Sequence, residues 1–247
     1  MAQAARPLLR PDAPGLAVDT LTKRFGSTLA VDRLSFEVGP RQILALLGPN
    51  GAGKTTTLMC LAGLLRPNSG RITWQGTVLG PNRGRQVALI GETPEVYEML
   101  SVWEHMVFVA RSCLLAAGWE ARAEDLLRRF GLWGDRDLLG DALSKGMRQK
   151  LLIAATVLAA TPVLLLDEPM IGLDPRGQRE LRALLIEVRD EGVAVIVSTH
   201  LLTNVQSFCD HLLILNRGRA VVGGGLDEVL DRYGHKTLEE TFLEIVE

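Results

Sequence analysis

The run Gly48-Pro49-Asn50-Gly51-Ala52-Gly53-Lys54-Thr55 constrains this chain more than any other segment. It fits G-x-x-x-x-G-K-[ST]. It stands between a continuous apolar stretch, Ile43 to Leu47, and a segment that reads as a helix from Gly53 to about Leu65, stopped by Pro67. The pattern has meaning only in that strand–loop–helix setting. Glycines let successive backbone N–H groups turn inward as an anion nest, and the helix N-terminus adds the positive end of its dipole. The run therefore predicts a nucleotide polyphosphate site that includes the following Thr56. Lys54 would reach the β- and γ-phosphates, and the Thr55 hydroxyl would ligate Mg²⁺. An unbroken apolar strand feeding such a loop is buried on both faces, as in an α/β sheet.

Two further strand ends carry chemistry. Val163 to Leu166 is apolar and runs into Asp167-Glu168-Pro169. Successive side chains leave a strand on opposite sides, so the two acids should take different jobs: Asp167 in the Mg²⁺ shell, Glu168 polarising the water that attacks the γ-phosphate. Val193 to Ser198 is a second buried strand, ending in Thr199-His200. A lone histidine is more often structural. At the carboxyl end of a strand beside these acids, His200 is placed to contact the γ-phosphate and orient the water and Glu168.

Around these motifs the chain reads as an α/β core with a helical insertion. Residues 1–14, containing Pro and Arg with few large apolar groups, suggest a flexible lead-in. Short strand-like runs at Leu16–Leu21, Leu34–Val38 and Arg71–Trp74 join Ile43–Leu47 in the first half, giving a mixed sheet with an N-terminal antiparallel portion. The core spans 15–91 and 159–227 and is interrupted at 92–158 by the helical part. There, Ser101-Val-Trp-Glu104 has capping-box spacing for a helix to about Leu115, and Ser144 opens another to about Ala160. Arg217-Gly218 turns a hairpin, and a helical tail occupies 228–247.

Composition narrows the function. With 27 Lys plus Arg against 29 Asp plus Glu, the net charge of −2 gives no reason to expect nucleic acid as a partner. The 3 cysteines, Cys60, Cys113 and Cys209, are scattered and form no disulfide framework or CxxC pair, which fits a reducing compartment. The longest apolar stretch, Leu151 to Leu166, is broken by Thr156, Thr161 and Pro162 and is shorter than the ~20 residues that span a bilayer. The chain reads as cytoplasmic; if it works at a membrane, another polypeptide does the spanning.

Leu143-Ser144-Lys145-Gly146-Met147-Arg148-Gln149, with Gly172-Leu-Asp174 and the motifs above, makes five motifs in one order. In that combination the chain resembles the nucleotide-binding subunit of an ABC transporter over about residues 16–227. The resemblance implies a phosphate-loop NTPase core plus a helical signature subdomain. It also implies ATP and Mg²⁺ as ligands, and ATP bound between this chain and a second copy of itself or a related cassette. Ser144 and Gly146 would then meet the γ-phosphate across the interface, Asp174 would join the two sites, and Phe25 would stack on adenine. The usual signature is Leu-Ser-Gly-Gly-Gln, so Lys145 and Met147 depart from it while Ser144 and Gly146 are intact. Glu92 stands where the family has glutamine, near Mg²⁺ and the attacking water, and adds a negative charge there.

Lys145 to Lys150 and the closing Thr237 to Ile245 resemble exporter ATPases whose permease is a separate polypeptide. In those, a permease helix docks beside the helical subdomain. Pro94 to Trp103, with Tyr97, Met99 and Leu100, is the candidate groove here, although the same residues could pack only inside the subdomain. The expectation is an ATPase peripheral to the inner face of the cell membrane. The alternative is a soluble ABC-type ATPase acting on nucleic acid or ribosomes. A single cassette, no heptad run and a slightly acidic balance argue against it.

Overall fold

A computed structural model describes residues 15–200, 202–234 and 237–246. The expected lead-in at 1–14 lies outside the described residues. In chain order, β1 (Leu16–Phe25), β2 (Thr28–Val38) and β3 (Ile43–Leu47) lead into α1 (Lys54–Ala62), followed by β4 (Ser69–Trp74), β5 (Thr77–Val78) and β6 (Val87–Ile90). Helices α2 (Val102–Ser112), α3 (Trp119–Arg129) and α4 (Lys145–Leu158) come next, with 3-10 turns at Trp133–Asp135 and Gly140–Ala142. The chain continues through β7 (Val163–Asp167), α5 (Pro175–Asp190), β8 (Ala194–Thr199) and α6 (Leu202–Val205). It ends in β9 (His211–Asn216), β10 (Arg219–Gly225), α7 (Leu226–Tyr233) and α8 (Leu238–Val246).

The strands form two sheets. One is 4-stranded and antiparallel, ordered β2-β1-β4-β5; the other is 6-stranded, ordered β10-β9-β3-β8-β7-β6, and parallel except for β10. Every residue of β3 and β7 is buried, as continuous apolar runs in a covered parallel sheet require. Side-chain alternation divides their contacts between two cores. Ile43, Ala45, Leu47, Leu164 and Leu166 pack with α2 to α5, whereas Leu44, Leu46, Val163 and Leu165 pack with α1 and the antiparallel sheet. The large sheet is thus the shared wall of both cores, and its strand ends are held from both sides.

Several helices stop earlier than their apolar periodicity suggests. Gly63 is left-handed (φ 82°) and ends α1 at Ala62 rather than near Leu65. Likewise Leu114 (φ 56°) and Ala160 (φ 52°) follow the ends of α2 and α4. The strands β1 and β2 run longer than their apolar cores, because cross-strand pairing extends them to a turn at Gly26-Ser27. The short β5 pairs with β4 and has no apolar signature of its own. Among the described residues, no helix is long and apolar enough to cross a membrane.

Candidate functional site

The phosphate loop leaves the carboxyl end of β3 and turns into α1. Two glycines are forced by close backbone approach. A Cβ on Gly53 (φ 101°) would lie 2.4 Å from the Ala30 carbonyl oxygen, and one on Gly48 2.4 Å from that of Leu215. Lys54 is buried, and its Nζ donates to the carbonyl oxygens of Gly48 (2.7 Å) and Pro49 (3.3 Å). Burial pushes its ammonium pKa below the ordinary value, against the opposing pull of Glu168, Asp167 and Glu92.

Strand β7 delivers the acids. Asp167 is paired in register with Ser198 of β8, and the Ser198 hydroxyl donates to Asp167 Oδ1. Glu168 departs from the expected strand alternation: its φ of 49° is left-handed, and its N–H donates to the Ser198 carbonyl (3.1 Å). That backbone reversal brings both carboxylates to the same cleft instead of opposite faces of the sheet. Glu168 Oε1 accepts from His200 Nδ1 at 2.8 Å, so that ring nitrogen carries the proton. Among the described residues, the buried Glu168 Oε2 has no hydrogen-bond partner, which leaves an acceptor open for an incoming donor.

The cleft is about 800 Å³. Phe25, Glu92, Asp167, Glu168 and His200 line it together with residues 50–56, so Asn50, Gly51, Ala52, Gly53, Lys54, Thr55 and Thr56 all face it. Gly48 and Pro49, at the start of the loop, do not line the cleft and contribute carbonyls to Lys54 instead. Phe25, at the end of β1, is 47% exposed, with Lys23 Nζ 4.8 Å from its ring centre. Thr28, Leu29, Ala30 and Arg217 line the cleft too, and nothing in the sequence marks them. Arg217 reads there only as a hairpin turn; its proximity to the phosphate loop depends on β9 lying beside β3.

Ser144, Gly146 and Asp174 lie outside this cleft. Ser144 is exposed and caps α4, its Oγ accepting from the Met147 N–H at 3.3 Å. Asp174 caps α5 through the Gly177 N–H (3.2 Å) and pairs with Lys150 Nζ at 2.9 Å, and the Lys150 contact foremost holds its carboxyl below the usual carboxylate range. The donor set suits Mg²⁺. Among the described residues no group of three or more His, Cys, Asp or Glu could hold a metal, whereas Mg²⁺ takes few protein ligands and keeps waters and phosphate oxygens. A hydroxyl on Thr55 and a carboxylate on Asp167, both facing the cleft, fit that requirement.

A phosphate loop flanked by a carboxylate strand end and a histidine strand end, on one edge of a parallel sheet, defines a nucleoside-triphosphate hydrolase of the phosphate-loop class. The ABC transporter family model matches residues 31–171. YhaQ, an ABC transporter ATP-binding protein of Bacillus subtilis (strain 168), is 34% identical over 230 residues, covering 90% of this chain and 75% of the relative. The lipopolysaccharide export system ATP-binding protein LptB of Haemophilus influenzae is 31% identical over 223 residues, covering 87% and 92%. A solved structure of an ATP-binding subunit of an ABC transporter superposes with a TM-score of 0.88 at 33% identity, covering 93% of this chain and 98% of that one. The chain belongs to the ABC transporter ATP-binding family, and its activity is the binding and hydrolysis of ATP.

Proposed function

We propose that two copies of this chain close around two ATP molecules and drive a separate membrane permease in the export direction. The observation that carries the pairing is the position of Ser144: it is exposed at the N-terminus of α4 and does not line the cleft of its own chain. In a symmetric pair, Ser144 and Gly146 of one copy complete the γ-phosphate site of the other, and Asp174 lies between the two sites. Within each cleft Phe25 stacks on adenine, Lys54 and the loop amides hold the phosphates, and Thr55 and Asp167, with Glu92 nearby, hold Mg²⁺. Bound there, Mg²⁺ supplies charge neutralisation of the β- and γ-phosphates. Glu168 accepts the proton of the attacking water, and His200 fixes the orientation of that carboxylate.

The permease reading is supported by an apolar surface on the helical part. Tyr97 (59% exposed), Met99 (80%), Phe108, Leu138 and Leu139 are all exposed there. The Tyr97 ring packs edge-on against Phe108 at 5.1 Å. A cytoplasmic location at the inner membrane face follows from that partner, and export from the resemblance to systems such as LptB.

Light scattering of Glu168→Gln protein tests the pairing. With MgATP the mass is expected to rise from 26.9 kDa to twice that value. A variant that binds ATP and remains at 26.9 kDa rules out the symmetric pair.

A further inference from the structure

The hairpin between β9 and β10 turns at Arg217-Gly218, with φ of 48° and 79°. Both central residues are left-handed, the pattern of a type I′ turn, whose first position favours Asn, Asp or Gly. Arginine gains nothing conformationally there, because its Cβ disfavours this region. The turn is also fastened to the nucleotide cleft. The Gly218 N–H donates to the Ala52 carbonyl (3.0 Å), and the Asp32 N–H donates to the Gly218 carbonyl (2.8 Å). Arg219, the next residue, is paired with Asp32 at 2.6 Å. Arg217 itself lines the cleft, and among the described residues its side chain takes part in no hydrogen bond or ion pair. It is a cation held on a fixed base beside the phosphate loop with its guanidinium left uncommitted.

Charge makes that placement consequential. Glu92, Asp167 and Glu168 all line the cleft, and a nucleotide polyphosphate adds further negative charge. The cleft-lining Lys and Arg side chains that oppose them, among the described residues, are Lys54 and Arg217. We propose that Arg217 is a nucleotide-binding residue that grips the α- and β-phosphates. Strand order supports the choice of phosphates: β9 lies on one side of β3, and β8 and β7 on the other. Arg217 and the acids Asp167 and Glu168 therefore flank the phosphate loop from opposite sides. The acids meet the γ end, and Arg217 meets the phosphates that ATP and ADP share. This inference rests on the cleft being the nucleotide site.

Arg217→Asn tests it, since asparagine suits a left-handed residue preceding glycine and so separates binding from folding. Calorimetric titration in EDTA with ATP and with ADP is expected to show Kd raised about five- to tenfold for both, at an unchanged or higher apo Tm. Arg217→Lys is expected to recover part of the loss, because it restores the charge and not the planar fork. Wild-type Kd values in Arg217→Asn, a loss confined to ATP, or a loss that tracks a lowered Tm would each overturn the proposal. Lys54→Ala is the control. If the wild-type chain binds neither nucleotide, or Lys54→Ala binds as wild type does, the nucleotide-site reading fails and this inference falls with it.

Discussion

His200 Nδ1 lies 2.8 Å from Glu168 Oε1, and this contact ties the residues just beyond β7 and β8 together at the cleft beside the phosphate loop. The two residues are 32 apart in sequence. Their meeting depends on Glu168 turning left-handed and on β7 pairing with β8 one residue before the acid. The bond occupies one carboxylate oxygen, and among the described residues the buried Oε2 has no partner.

If Glu168 is the base and His200 its orienting partner, the two act as one unit. Glu168→Gln is expected to lower phosphate release at saturating MgATP by at least about a hundredfold, within the range of general-base losses. His200→Ala should lose roughly ten- to a hundredfold, and the double variant no more than Glu168→Gln alone. Losses that multiply in the double variant would show that the residues work independently.

Burial lowers the Lys54 pKa, and the charge of Glu92, after those of Glu168 and Asp167, pulls against that shift. Glu92→Gln removes a negative group that faces the cleft. It is expected to tighten MgATP binding by about threefold, with the gain shrinking at high salt because the site is open to solvent. The variant should also change the basal or permease-stimulated ATPase rate. Binding and both rates at wild-type values would remove any electrostatic or coupling role for Glu92.

Arg129 of α3 joins the helical part to α5. It makes two bonds to Glu187 (2.6 and 2.9 Å) and one to Glu180 (3.1 Å). The hydrogen bond from Arg129 holds the Glu187 carboxyl below its ordinary 4.5. A carboxylate with a depressed folded pKa adds stability above its unfolded value and loses it as pH falls through the folded value. Arg129→Ala should therefore cost about 1 kcal/mol at pH 7, a modest figure because Glu187 is largely exposed. The difference in urea midpoint between variant and wild type should close as the medium is acidified below 4.5. An equal gap at both pH values would assign the loss to packing alone.

His105 of α2 is buried and faces the Tyr97 segment. Its Nδ1 donates to the Ser101 carbonyl (2.7 Å), and its Nε2 accepts from the Tyr97 N–H (3.0 Å). The two backbone partners place the ring proton on Nδ1 and fix the orientation of the imidazole. His105→Leu leaves the Tyr97 N–H and one Ser101 acceptor bond unmet. It is expected to cost about 2 kcal/mol and to speed hydrogen exchange at the Tyr97 amide. Unchanged exchange at that amide would sink the idea that His105 holds the Tyr97 segment in place.

The elements that were legible in the sequence are those encoded by near neighbours. Ser101 and Glu104 form both bonds of the capping box, Ser144 caps the helix it precedes, and Arg217-Gly218 turns the expected hairpin. The phosphate loop was readable for the same reason: glycine spacing, lysine and threonine lie within one turn of chain. Helix ends were less legible, because left-handed residues such as Leu114 and Ala160 carry no glycine signal.

The α/β core, the phosphate loop, the two strand ends that bear Asp167, Glu168 and His200, and the resemblance to the family could all be read from the order of residues. Folding added that Glu168 reverses to share a cleft with Asp167, that the Ala30 carbonyl leaves no room for a Cβ at Gly53, and that Arg217 comes to rest beside the phosphate loop. The difference is one of range. Caps, turns and anion nests depend on dihedrals and hydrogen bonds between residues a few positions apart. The convergence of β2, β3, β7, β8 and the β9–β10 turn depends on the order in which strands pair, which no local spacing encodes.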